Sequence, residues 1–279
     1  MIKREEFIIE SLNKKSICFD IHFSTEKKGT IIFSHGIMGF KDWGHFNLMA
    51  QTFALKGYDF VKLNFSHNGT SPESLNDFVD LEAFGQNNFS HELDDLDRLL
   101  EYLKINQIDL SLNLENIHLI GHSKGGATSL IYTLNSPQIK SCATLAPVIY
   151  PVDRYSDLND SNSEWKTQGV KFRKNSRTDQ DFPMYYQLSE DSILNKDRFN
   201  IIDRLPKDKR SFLILHGLSD EAVLPSEPSE LMDIKNADVI FLEEADHVFG
   251  GKHPFEEPEL PPHTSVAIDL IVAFFDANS

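Results

Sequence analysis

The stretch Ile117-His118-Leu119-Ile120-Gly121-His122-Ser123-Lys124-Gly125-Gly126-Ala127 constrains this chain more than any other. An apolar run of strand length enters Gly-x-Ser-x-Gly, and a helix-compatible segment leaves it. That context puts Ser123 on a sharp, strained turn with its hydroxyl exposed. The backbone N–H of Lys124, at the helix start, then faces an incoming carbonyl oxygen. Gly121 and Gly125 lack side chains, so strand and helix can close around the turn. The motif alone is short enough to arise by accident, and the plain alternative is a serine that merely caps a helix. The flanks are what favour a nucleophile.

The rest of the chain alternates strands with helices. Phe7–Ser11 and Ser16–Phe23 read as an antiparallel pair, and short apolar runs follow at Gly29–Ser34, Asp59–Phe65, Ile117–Ile120, Ser141–Val148, Ser211–Leu215 and Asp238–Leu242. Helices are predicted over His45–Lys56, from a Ser90 cap through Leu103, from Lys124 to Asn135, near Ser226–Ile234 and over Thr264–Phe275. Glu73 to Asn88 is polar and without a clear period. This pattern predicts an α/β fold with a mostly parallel sheet covered by helices on both faces. Residues 150–209 break the alternation: they are charged, studded with aromatics, and carry one candidate hairpin, Val170–Arg173 with Pro183–Gln187. The expected organisation is therefore a core domain from 1–149 and 210–279, with 150–209 as an insertion.

Charge narrows the partners. The chain has 27 basic and 43 acidic residues, a formal net charge of −16. Such a surface repels phosphate backbones and anionic membranes, so neither nucleic acid nor membrane is an expected partner. Cys18 and Cys142 make no metal or disulfide pattern and read as small buried hydrophobes. No membrane-length apolar run and no signal-peptide core is present, which points to a cytoplasmic protein. No Gly-x-Gly-x-x-Gly follows the early strands and no metal-binding motif appears, so no cofactor and no metal are expected.

A serine hydroxyl needs a base, and the base needs a third group to hold it. In an open α/β sheet these partners come from loops after later strands. Two such loops stand out: His216-Gly217-Leu218-Ser219-Asp220-Glu221-Ala222-Val223-Leu224-Pro225 and Glu243-Glu244-Ala245-Asp246-His247-Val248-Phe249. With Gly-His-Ser-Lys-Gly-Gly, and with Ser34-His35-Gly36-Ile37-Met38-Gly39 after an earlier strand, these segments resemble the signatures of the α/β-hydrolase superfamily. The resemblance runs from about Gly29 to the C-terminus, leaving out the insertion. It is closest to serine esterases with an inserted cap (lid), similar to cinnamoyl/feruloyl esterases and monoacylglycerol lipases. One loop departs from the family pattern. Asp-x-x-Gly-x-Gly-x-Ser is replaced by Asn64-Phe65-Ser66-His67-Asn68-Gly69-Thr70-Ser71, so that loop's geometry does not carry over.

The resemblance implies the triad Ser123, Asp220 and His247, with the N–H groups of Ile37 and Lys124 as oxyanion donors. Glu221 and Asp246 are rivals for the acid, and His253 and His263 for the base, but the latter two lie in a Pro-rich stretch and read as solvent-facing. His35 and His216 read as loop-shaping hydrogen bonders, and the Lys124 ammonium as solvated. Phe40 and Phe249 flank the loops and are candidate substrate-binding residues. The expected activity is hydrolysis of a small-molecule carboxylic ester with a modest apolar or aromatic acyl group. A thioesterase or a small-peptide (acyl-aminoacyl) hydrolase uses the same machinery. A non-catalytic binding protein on this fold is the reading from another class.

Overall fold

In a computed structural model, which describes residues 2–279 except 161 and 176, eight strands form one sheet in the order β1-β2-β4-β3-β5-β6-β9-β10. The strands are β1 (Lys3–Glu10), β2 (Ser16–Phe23), β3 (Gly29–Ser34), β4 (Tyr58–Asn64), β5 (Ile117–His122), β6 (Ile139–Leu145), β9 (Phe212–Gly217) and β10 (Ala237–Leu242), with β7 (Val170–Lys174) and β8 (Asp181–Tyr185) paired separately. β1 and β2, and β2 and β4, pair antiparallel, and the remaining neighbours run parallel. β3, β4, β5 and β9 are buried along their whole length, as strands covered on both faces must be. β1 starts earlier than the apolar pattern predicts, because Lys3–Glu6 pair with Phe23–Asp20 along an edge where alternate residues face water.

The helices are α1 (Phe46–Leu55), α2 (Leu81–Gly85), α3 (Phe89–Ile105), α4 (Gln107–Leu110), α5 (Lys124–Asn135), α6 (Pro151–Tyr155), α7 (Glu164–Gln168), α8 (Gln187–Leu194), α9 (Lys196–Phe199), α10 (Ile201–Arg204), α11 (Ser226–Ser229) and α12 (Pro262–Ala277). Two apolar clusters cover the two sheet faces, and consecutive strand residues divide between them. Ile31 and Phe33 join α1 and α12, while Ile32 joins α3 and α5. Two local expectations change. Asn88, not Ser90, caps α3, its side chain accepting from His91 N at 2.8 Å, and the Ser90 hydroxyl instead donates to Asp191. The helix expected near Ser226–Ile234 is a single turn, with Pro228 removing a donor inside it.

Between β6 and β9, residues 150–209 form α6 to α10 and the β7–β8 hairpin, where Phe172 pairs with Pro183. The second strand begins at Asp181, two residues before the expected start. Tyr155, Trp165, Phe182, Leu188 and Phe199 are buried in the same cluster that holds Leu63 and Leu119 of the sheet. Phe182 packs edge-on to Phe78 and Phe84, with ring centroids 4.8 and 4.6 Å away. The segment shares its core with the sheet.

Candidate active site

Ser123 sits between β5 and α5 with φ 56° and ψ −120°, a left-handed backbone that L side chains rarely adopt. Its amide donates to Leu145 O at 3.0 Å, and its carbonyl accepts from Gly126 N at 2.9 Å. The glycines around it are required by space. A Cβ on Gly121 would stand 2.2 Å from Gly125 O, and one on Gly125 would stand 2.3 Å from Ser34 O and His35 O. Strand, helix and the loop after β3 therefore touch backbone to backbone.

The loops after β9 and β10 deliver the other two groups. His247 Nε2 is 3.0 Å from Ser123 Oγ, and His247 Nδ1 is 2.8 Å from Asp220 Oδ2. An ionised carboxylate only accepts, so the proton of a neutral His247 belongs on Nδ1, leaving Nε2 to accept from the serine hydroxyl. Asp220 is buried, and its Oδ1 accepts from Ala222 N (2.8 Å) and Val223 N (2.9 Å). Burial alone would raise its carboxyl. Hydrogen bonds from His216, His247 and Val223 N outweigh that and hold it well below the usual carboxylate range. His216 Nε2 lies 2.9 Å from Val223 O and 3.2 Å from Asp220 Oδ2, so it props the loop and the acid together. Glu221 is exposed, and Asp246 Oδ1 accepts from the amides of Val248 and Gly250 to close its own turn, so neither holds His247.

Peptide geometry orients the amides of Ile37 and Lys124, the expected oxyanion donors. Gly36 O accepts from Gly39 N (3.1 Å) and His35 Nδ1 (2.8 Å). In a trans peptide the next N–H points the opposite way, so the Ile37 amide is turned away from that pair of donors. Among the described residues the amides of Ile37 and Lys124 make no hydrogen bond. A Cβ on Gly36 would stand 3.0 Å from Ser123 Cβ, so this loop packs tightly against the elbow. The departing loop after β4 supports it: Asn64 Oδ1 accepts from Lys41 N at 2.6 Å.

Several expectations are corrected. The Lys124 ammonium is buried, 2.5 Å from Glu92 and 4.4 Å from the Phe89 ring centroid, which ties the start of α5 to α3. His253 lines the Ser123 cleft, where its Nδ1 accepts from Gly44 N at 2.9 Å and its ring stacks on Trp43. His263 stands in the first turn of α12. Phe40 and Phe249 do not line the cleft. Phe40 has no exposed surface and packs on Phe78 and His253, and Phe249 faces a separate small apolar void with Phe46 and Met49. Both carry the loops from behind.

The cleft has a volume of about 480 Å³. One wall carries Ile37, Met38, Trp43 and Val223, and residues 150–209 supply Arg154, Tyr155, Arg173, Asn175 and Arg177. The arginines gave no sequence signal, because they sit in a generally charged segment. His122 also reaches the cleft. Its Nε2 donates to His247 O at 2.8 Å, and burial pushes its pKa down to about 3, so it stays neutral beside the imidazole. Among the described residues no group of three His, Cys, Asp or Glu could hold a metal ion, and no helix is long and apolar enough to cross a membrane. Cys18 and Cys142 are buried free thiols.

No curated protein matches the chain in sequence. Among solved structures it is similar to Est1E from Butyrivibrio proteoclasticus, with 15% identity, TM-score 0.70 and 98% of each chain covered. It is also similar to the esterase domain of a Rhodothermus marinus protein (18%, TM-score 0.66, 98% of each chain). A third is mouse alpha/beta hydrolase domain-containing protein 10 (15%, TM-score 0.67, 99% of this chain and 100% of that one). At these identities the likeness is one of fold. In sequence, a family profile described as the alpha/beta hydrolase fold matches residues 29–178, from β3 through the serine turn into the segment after β6. With more than half its length matched and that sheet beneath the serine turn, the chain belongs to the alpha/beta hydrolase fold family.

Proposed function

We propose that this protein is a serine hydrolase that cleaves carboxylic esters through an acyl-enzyme on Ser123. The observation that carries the reading is the hydrogen-bonded chain from Asp220 through His247 to Ser123 on a strained turn. Ser123 Oγ attacks the acyl carbonyl carbon while its proton passes to His247 Nε2. The carbonyl oxygen takes the negative charge and accepts hydrogen bonds from the Ile37 and Lys124 amides; losing one such donor costs about 2.7–4 kcal/mol of barrier. The carbon–oxygen bond then breaks, and His247 gives its proton to the departing alkoxide. Water repeats the sequence on the acyl-serine, releasing the acid and restoring the hydroxyl. Asp220 holds the Nδ1–H tautomer and balances the transient imidazolium. His122, neutral alongside, adds no repulsion to that cation. Residues 150–209 serve as the cap over the cleft, and the protein works in the cytoplasm.

Hydrolysis of p-nitrophenyl butyrate by the protein and by its Ser123→Ala variant tests this, together with fluorophosphonate labelling read by mass spectrometry. Turnover lost in the variant and a single adduct on Ser123 are expected. Folded protein that neither turns over the ester nor takes the label, or a variant as active as the parent, sinks the reading. Matched thioester and aminoacyl-amide substrates in the same assay separate the related hydrolase activities.

A further inference from the structure

The cleft above Ser123 is basic although the chain is strongly acidic. The residues that line it include Arg154, Arg173, Arg177 and three histidines, and no Asp or Glu, in a chain with 43 acids against 27 bases. Arg154 is already engaged: its guanidinium bonds Glu227 at 2.5 Å and donates to Ala222 O at 3.0 Å. Arg173 and Arg177 are different. Among the described residues neither has a carboxylate within ion-pair distance. Three acids outside the lining act on it: Glu227 on Arg154, Asp220 on His247 and Asp77 on His253.

These two arginines are held by a built turn. Arg173 belongs to β7, paired with Phe182, whose ring is fully buried against Phe78 and Phe84. Asn175, itself buried, accepts from the amides of Arg177 (3.0 Å) and Thr178 (3.4 Å) through Oδ1. Its own amide donates to Gln180 O at 2.9 Å, and Gln180 donates to Phe78 O at 3.2 Å. The hairpin tip is thus tied to the body of the protein, with two uncompensated guanidinium groups on the cleft. A neutral ester makes no use of them. A carboxylate or phosphate does, because a guanidinium fork matches two oxyanion oxygens, and a walled cleft of one sign concentrates the field on such a ligand.

We propose that Arg173 and Arg177 form an anion subsite, so that the preferred substrate is an ester bearing a second, negatively charged carboxylate or phosphate group. This rests on Ser123 being the nucleophile of that same cleft. The uncharged part of the ester then lies along Ile37, Met38 and Trp43.

The test measures binding without chemistry, by calorimetry on the Ser123→Ala protein. Monomethyl glutarate is compared with methyl pentanoate, the neutral ester of the same carbon chain, and 2-(butanoyloxy)ethyl phosphate with butyl butanoate. One anionic ester binding at least about tenfold tighter than its neutral partner is the expected result. The arm that shows it tells carboxylate from phosphate. Adding Arg173→Gln and Arg177→Gln brings the ratio back toward one, and raising salt from about 0.02 to about 0.5 M weakens only the anionic ligand. Both side chains are solvent-exposed, so the variants keep their fold, and the salt series on the otherwise unchanged chain stands independently of them. Equal binding of charged and neutral esters overturns the proposal, as does a preference that survives both substitutions. Wild-type protein that favours the anionic ester yet hydrolyses none of the four supports the subsite and defeats the hydrolase reading instead.

Discussion

Asp220 and Asp20 are both buried carboxylates whose surroundings favour the ionised form, yet they are held by different partners. Asp20 Oδ2 takes Lys41 Nζ (2.8 Å), Lys62 Nζ (2.8 Å) and Arg4 Nη2 (2.7 Å), with Asp42 completing the cluster. Burial would raise the Asp20 carboxyl, and the two ammonium groups more than offset it. Ammonium and guanidinium groups make every hydrogen bond to Asp20 there; the imidazole of His22 lies 3.6 Å from Asp20 Oδ1, beyond hydrogen-bond distance, and burial pushes it down to about 4, so it stays neutral. At Asp220 the partners are imidazoles and backbone amides, and an imidazole exchanges a proton at ordinary pH. A buried charge alone therefore does not mark chemistry; the identity of its partner does. The Asp20 cluster has a positional task. Lys41 and Asp42 directly follow the Ile37 loop, and their ion pairs to β2 and β4 hold that loop over Ser123.

Substitutions that separate the two carboxylates put this comparison at risk. Ser123→Ala is the reference for complete loss, with kcat/KM on p-nitrophenyl butyrate expected to fall about 10⁶-fold. Asp220→Asn is expected to cost about 10⁴-fold in kcat, through the wrong imidazole tautomer, more than it costs in urea midpoint. Asp20→Ala reverses the balance. It leaves two buried ammonium groups, Lys41 and Lys62, to share Asp42, so about 3–5 kcal/mol of unfolding free energy is lost, measured by urea denaturation. Activity per folded molecule then stays well above that of Asp220→Asn, and an equal loss would erase the distinction.

The smallest effect sharpens the role of burial. His35 and His118 are buried, and desolvation lowers each to about 4 from an ordinary 6.5. Below pH 6.5 the unfolded chain binds these protons and the folded one does not. Their contribution is whole above pH 6.5 and drains away as pH falls toward 4, by about 2 kcal/mol for each histidine at pH 5. Melting temperatures at pH 7 and pH 5 read it directly. A melting temperature independent of pH across that interval is incompatible with these neutral, buried rings.

Much of this protein was legible in the order of its residues. Continuous apolar runs announced the doubly covered strands, and Gly-x-Ser-x-Gly between β5 and α5 announced the strained turn, because any Cβ at its glycines would stand 2.2–2.3 Å from a facing backbone oxygen. Strand ends followed by His216–Pro225 and Glu243–Phe249 marked the loops from which Asp220 and His247 reach Ser123. These are local signals, set by period and by steric need, and they survive without knowledge of the fold. Side-chain surroundings are another matter. Whether Lys124 meets water or Glu92, whether Phe40 faces a ligand or Phe78, and whether Arg177 is a solvated surface charge or part of a cleft all depend on segments distant in the chain. Such contacts have no period in the sequence. They exist only once the sheet has brought its loops to one edge and the β7–β8 hairpin has been anchored across them.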